Sequence, residues 1–405
     1  MSAEAQSLDL ESVDPPPRFP LAGIISLALA VFISVSAEFL PSGLLPEISA
    51  VMGRSTSTAG LLVSVFAGTV VVSTVPLAAL TRGLPRKTVL VLALSTLTIA
   101  TAAAALAPTF ELLLASRVLA GMAHGLFWSV VATYATRLVP LRQLGTATAI
   151  TSSGGTAALV IGAPLATAVG VSFGWRIAFA TVMVSFVALL VIVLLVLPRG
   201  EHPSAESRRP SATLHSRGSI RPMLLVSVVI LMLMVGQYTF YTYFATWMVG
   251  VADLSRAFTP GLLFVFGGFG VAGLAFAGYA ADRYLNRALL ISGTLVVGAL
   301  LVLIFSHTSS PMLVASTALW GAAFGSVPPL LQTSILKSAP LERRDLAGAM
   351  QTTAFNLGIG VGAFLGGRVI IWAGLAALPW VDIGVTIAGL LCAATIAVSL
   401  RLRSE

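Results

Sequence analysis

Charge is what this sequence has least of. Only 9% of its 405 residues are Asp, Glu, Lys or Arg, against about a quarter in a soluble domain. With 57% hydrophobic residues, that scarcity excludes an ordinary water-soluble globule and points to an all-α polytopic membrane protein. Cysteine is nearly absent too. The single Cys392 lies in an apolar run, excludes an internal disulfide and reads as a small packing residue. The sequence shows no His/Cys/carboxylate set spaced for a metal, no nucleophile triad and no phosphate loop. Gly267–Gly270 (GGFG) lies inside an apolar run and follows no strand. Neither an enzyme nor a cofactor is expected. The net charge of +8 comes from basic residues scattered through short loops, which argues against a nucleic-acid partner. Met1–Pro17 is acidic and Pro-rich without a basic start, so it reads as a disordered tail and not a signal peptide.

What is abundant is apolar runs of membrane-crossing length. Twelve can be drawn, at roughly 21–45, 57–81, 88–107, 110–136, 145–170, 176–197, 222–249, 257–280, 288–306, 311–336, 346–373 and 379–400. An even number puts both termini on one side. Eighteen of the 23 Lys and Arg residues then fall in loops on that side and only Arg54, Arg176 and Arg256 on the other. This bias predicts cytoplasmic termini and a multi-pass protein of the cell (inner) membrane. The longest polar stretch, Pro198–Arg221, divides the chain into a tail over 1–20, a six-helix half over 21–197, a cytoplasmic linker over 198–221 and a second six-helix half over 222–401. Gly145–Gly155 (GTATAITSSGG) and Gly348–Gly358 (GAMQTTAFNLG) open the fifth span of each half as a weak internal echo.

Within these spans Glu38 reads as the one acidic residue placed well inside the hydrocarbon. A carboxylate there costs roughly 2.5–3.5 kcal/mol on insertion scales, so it marks a functional site by default. Arg117, Gly121, His124 and Trp128 share one stripe of the fourth span. Arg117 and Glu38 are each about seven residues from the outer ends of their spans, about 10 Å deep. Equal depth and opposite charge predict an interaction between them. His124, further toward the middle, is a candidate proton relay or substrate contact; a neutral histidine bonded between helices is the plainer alternative. The seventh span carries Gln237, Tyr238, Tyr241, Tyr243 and Trp247. Gln237, Tyr238 and Tyr241 are expected to line a substrate cavity, and Trp247 to sit in the interfacial belt. Trp320 and Phe324 are placed opposite, with Trp128 and Asn356 as further substrate contacts. The glycines of the fifth and eleventh spans, with Pro164, read as close-packing positions.

These residues together resemble a known family. EFLPSGLL from Glu38, the Arg117-to-Ser129 stretch, Gly162 with Pro164 and Gly170, FGWR from Phe173, the Tyr238–Tyr243 cluster and Phe355-Asn356 with Gly358 and Gly360 are similar to the major facilitator superfamily. Within it they resemble the drug:proton antiporters, a group that includes sugar efflux transporters of the B type and chloramphenicol-resistance exporters. The superfamily's basic loop motif is present as Gly278, Asp282, Arg283 and Arg287, an expected inner-face latch. Its first-half copy keeps Arg86-Lys87 but no Asp. The resemblance implies a two-half, twelve-helix fold. It also implies export of sugars or small amphipathic drugs in exchange for protons, with Glu38, Arg117 and His124 in proton coupling. The expected partners are a small-molecule substrate, protons and the lipid bilayer, with the protein acting as a monomer. The alternatives are an importer of the same fold and a non-transporting receptor or scaffold.

Overall fold

A computed structural model describes residues 20–139, 143–197, 220–340 and 343–401. The expected tail and linker lie outside the described residues, apart from Pro20, Ile220 and Arg221. Among the described residues twelve helices are long and apolar enough to cross a membrane. They are α1 (Leu21–Gly43), α2 (Thr56–Leu80), α3 (Arg86–Ala105), α4 (Phe110–Val131), α5 (Thr146–Phe173), α6 (Trp175–Val196), α7 (Arg221–Gly250), α8 (Arg256–Ala280), α9 (Leu285–Ser306), α10 (Ser310–Lys337), α11 (Leu346–Ala373) and α12 (Leu375–Ile396). Helix is the form these runs must take, because lipid offers no partner for backbone N–H and C=O groups. Helices α1–α6 and α7–α12 form two six-helix halves. Twelve crossings place Leu21 and Arg401 on one side, called here the terminal side; the other is the far side.

Burial shows which helices stand at the centre. The buried share of the apolar window is 67% in α1 and 61% in α4 and α7, but 28% in α2 and α6. The halves meet along two seams, α2 against α11 and α5 against α8. Three breaks in regular helix follow from local sequence. After Gly43 the chain turns at Leu44 into a short helix, Leu45–Met52, with Pro46 in its first turn. Pro164 cannot donate an amide hydrogen, and a π turn over Ala158–Gly162 precedes it in α5. In α7 the helix Arg221–Tyr241 ends just before Tyr243 and restarts at Phe244.

That break places Tyr243 at the far-side seam. Its hydroxyl donates to the Ala363 carbonyl of α11 at 2.8 Å. Its ring end occupies the space beside Gly60 of α2, where a Cβ would come within 1.8 Å of the hydroxyl oxygen. Only glycine admits this approach between the halves.

Two sequence expectations are corrected here. Trp247 is not in an interfacial belt: it is 1% exposed and packs edge-on to Phe240 and His307. Glu38 is not the one acid inside the bundle, because Asp382 of α12 is fully buried. The reason is a boundary. Gly374, at φ +81°, ends α11, and α12 begins at Leu375, four residues earlier than apolarity alone suggested. Asp382 is thereby seven residues inside instead of at the edge.

Outside the spans, the short helix Leu45–Met52 packs on the Phe244–Gly250 segment of the other half. Burial holds the Glu47 carboxyl above the ordinary carboxylate range, against the opposing pulls of a backbone hydrogen bond and of Arg256 across the seam. A raised value means that the folded state binds more protons than the unfolded one. The contribution is therefore favourable below the raised value and lost as pH rises through it. Glu47→Gln should melt higher than the parent at about pH 8, and the gap should close toward about pH 4; differential scanning fluorimetry in detergent at stepped pH measures it. Gly60→Ala should force the Tyr243 ring from its seat. It is expected to raise, several-fold, labelling of a Ser57→Cys reporter by an impermeant maleimide in a Cys392→Ser background.

Candidate transport site

The site begins with an orphaned carbonyl. Pro41 has no amide hydrogen, so the helix cannot satisfy the Ala37 carbonyl four residues earlier. Arg117 of α4 takes it, with Nη1 donating to Ala37 O at 3.4 Å and Nη2 to Glu38 O at 3.3 Å. Nε donates to Leu62 O of α2 at 3.3 Å, and the guanidinium lies 4.2 Å from the Phe66 ring centroid. Arg117 is 3% exposed. The expected juxtaposition with Glu38 is present, but the cation holds backbone oxygens. Among the described residues no ion pair joins it to the Glu38 carboxylate.

The carboxyl points instead to His124, with Oε2 3.4 Å from Nε2. The imidazole is fixed from both ends. Trp128 Nε1 donates to Nε2 at 2.7 Å, and Nδ1 meets Ser34 Oγ at 2.9 Å. An indole N–H only donates, so Nε2 accepts and the ring hydrogen is on Nδ1, directed at Ser34. His124 is therefore held as a neutral imidazole in this arrangement. The Glu38 carboxyl oxygen therefore faces a ring nitrogen whose one lone pair already receives the Trp128 N–H. Ser34, one helical turn before Glu38, and Phe66 were not among the sequence candidates; the i, i+4 spacing of Ser34 and Glu38 was the available signal for the first.

A cavity of about 260 Å³ lies in the second half and along its seam with α5. Of the expected substrate contacts, Gln237, Tyr238, Tyr241 and Phe324 line it, together with Gly155, Thr156, Phe266, Pro328 and Pro329. Trp320 does not. It is fully buried behind the wall, where its Nε1 donates to Gln237 Oε1 at 3.0 Å and Phe240, Phe244 and Phe266 surround its ring. Asn356 donates to Thr352 O of its own helix and is not in the lining. Trp128 belongs to the His124 cluster. The doublet Pro328–Pro329 leaves the Phe324 carbonyl, on a cavity-lining residue, with no amide donor at either the fourth or the fifth following residue.

Phe39 connects the cluster and the cavity. Next to Glu38, it stacks on Tyr238 at 5.9 Å and meets Tyr241 edge-on at 6.2 Å, so α1 touches α7 at two of the tyrosines that line the cavity. On the terminal side, Asp282 Oδ1 lies 3.7 Å from Lys337 Nζ, a well-exposed pair linking α8 to α10 within one half. Arg283 and Arg287 enter no ion pair among the described residues, and Gly278 faces open space. In the first half Lys87 Nζ donates to the Leu194 carbonyl at 2.9 Å. These contacts join neighbouring helices within a half, and of the motif only Asp282 takes part in them.

Comparison with known proteins agrees with this architecture. The sequence profile of the Major Facilitator Superfamily matches residues 27–284 and 261–404. A chloramphenicol efflux pump of Mycobacterium tuberculosis strain CDC 1551 is 36% identical over 359 residues, 84% of each chain. The pump of that name in strain H37Rv is 36% identical over 356 residues, again with 84% coverage of each chain. Among solved structures, a bacterial homologue of the human lysosomal transporter Spinster, inward-facing and occupied, superimposes with TM-score 0.75 at 14% identity, covering 95% of this chain and 97% of that one. A POT family transporter bound to 5-aminolevulinic acid does so with TM-score 0.76 at 12% identity, covering 93% and 95%.

Arg117→Lys retains the charge but not the fork that reaches three carbonyls and lies on Phe66. It should lower stability by about 2–4 kcal/mol, seen as a reduced melting temperature in detergent.

Proposed function

This chain belongs to the major facilitator superfamily as a drug-efflux-type transporter, and we propose that it exports a neutral amphipathic drug of the chloramphenicol class in exchange for protons. The observation that carries the coupling is the Glu38 carboxyl directed at the unprotonated Nε2 of His124. It is a proton-binding group beside a helix seam, with a buried cation on its own backbone. The similarity to chloramphenicol efflux pumps supports the substrate class, and the cavity wall agrees. Aromatic rings, glycines and prolines dominate it, with Gln237, Thr156 and two tyrosine hydroxyls as the polar side chains. A sugar would leave many hydroxyls unpaired there. An aromatic amide with a few hydroxyl and N–H donors matches the rings and the Gln237 amide.

The Lys/Arg distribution supports cytoplasmic termini in the cell membrane, which makes the far side the exterior. In the reading proposed, a proton reaches Glu38 from outside when the Phe39–Tyr238 and Tyr243–Gly60 contacts part. The halves then rock to the arrangement described here. Drug enters the cavity from the cytoplasm, the Glu38 proton leaves, and the halves return. One charge moving down a membrane potential of about 100 mV contributes about 2.3 kcal/mol to each cycle.

In inverted membrane vesicles, a lumen-acid gradient should drive chloramphenicol accumulation by the parent. Glu38→Gln should lose at least about tenfold of that accumulation yet retain exchange of labelled for unlabelled chloramphenicol. A Glu38→Gln protein with undiminished gradient-driven uptake would overturn the coupling role.

A further inference from the structure

Asp382 has no place in the cycle above. It is fully buried, as is the polar system beside it. Its Oδ1 accepts from Thr386 Oγ1 at 3.0 Å, while Oδ2 has no hydrogen-bond partner. From α7 the facing residue is Gly236, where a Cβ would come within 3.0 Å of Oδ1. The glycine thus lets α7 close directly over the carboxyl. Among the described residues no ion pair includes Asp382. On α7, Tyr238 and Tyr241 serve the cavity, Tyr243 bonds Ala363, and Arg221 begins the helix at the terminal side. On α9, Arg287 is near the terminal-side start, and His307, past the far end, bonds Ile304 O and meets Trp247. On α11, Arg368 lies on Trp372.

A small void lies between this carboxyl's hydrogen-bond donor and the cavity wall. Thr386, its hydrogen-bond donor, also lines a void of about 10 Å³ together with Gln237, Gly293 and Phe324. That volume suits about one water molecule. Gln237 and Phe324 are at the same time walls of the large cavity. The void thus has the carboxyl's hydroxyl donor on one wall and two residues of the cavity wall on another. A buried carboxyl with one unbonded oxygen, a hydroxyl donor that also faces this void and, among the described residues, no ion-pair partner is suited to take up and release a proton.

We propose that Asp382 is a second protonation site, in the half opposite to Glu38, reached from the drug cavity through Gln237 and Thr386. The proton itself is bound whether or not the exchange reading holds. Its use in transport rests on that reading: Gln237 bonds Trp320 and lines the drug cavity, so drug seated there blocks or opens the route. With both acids loaded, two protons cross for each drug molecule.

The test needs no substrate. Infrared spectra of the purified protein in liposomes, stepped in pH, should contain a protonated-carboxyl band that is absent in Asp382→Asn, persists in Glu38→Gln and disappears reversibly as pH rises while the protein stays folded. Thr386→Val, which keeps shape but removes the relay hydroxyl, should retain the band and slow its deuterium exchange at least about tenfold. A band that stays at every pH of the folded protein, no band assignable to Asp382, or exchange unchanged in Thr386→Val would each overturn the proposal. If Asp382→Asn fails to fold, the Thr386→Val exchange rate decides alone. In vesicles, protons moved per chloramphenicol should fall from two to one in Asp382→Asn, whereas a parent that moves no chloramphenicol would sink the substrate reading and leave the infrared result standing.

Discussion

A guanidinium inside a lipid-embedded bundle has to be satisfied by the protein, and the arrangement of the first half follows from how Arg117 is satisfied. It draws on three backbone oxygens from two other helices and on one aromatic face. The Ala37 carbonyl is available because Pro41 cannot bond it. The cation thus ties α4 to α1 and α2 without consuming the neighbouring carboxylate. If Arg117 formed a close ion pair with Glu38 instead, two desolvated charges would hold each other in place, and releasing one would cost several kcal/mol. Leaving the carboxyl to face His124 keeps it near a positive charge yet free to change state.

Glu38 is in the first half and most of the cavity wall is in the second, and few side chains join them. Phe39 follows Glu38 on α1 and stacks on Tyr238, a cavity wall. A shift of α1 that moves Glu38 relative to His124 also moves this ring. Coupling between the acid and the cavity therefore needs no long chain of contacts. It needs only that the α1–α7 contact be different when the far side opens. The glycine seats support such an all-or-none change, because Tyr243 either occupies the space at Gly60 or leaves it.

Much of this was legible in the sequence because membrane helices announce themselves by length and apolarity. All twelve spans, the equal depth of Glu38 and Arg117, and the cavity positions of Gln237, Tyr238, Tyr241 and Phe324 follow from period and rise. What escaped reading depended on partners. Nothing local to Arg117 says that it will choose carbonyls over a carboxylate; the clue was Pro41, four residues past Ala37. Trp320 looked like a cavity aromatic, yet its N–H is needed by Gln237 and its ring by three phenylalanines. Asp382 was missed because hydropathy sets a span boundary only to within about one turn, and one turn separates an interfacial acid from a buried one.

The two acids differ in what surrounds them, and the difference suggests a division of labour. Glu38 has Arg117 on its own carbonyl and His124 and Ser34 within its cluster, so a charge on its carboxyl would meet a countercharge nearby. Asp382 has one hydroxyl and a glycine, with no cation bonded to it. In low dielectric, a charge without a partner favours any motion that brings it water. An ionised Asp382 would thus press α7 and α12 apart at Gly236, whereas a neutral one lets them close. Because Gln237 follows Gly236 on α7, that motion acts directly on the cavity wall. On the exchange proposed, the first half would then store charge in a fixed electrostatic frame, and the second would respond to charge by changing how two helices pack.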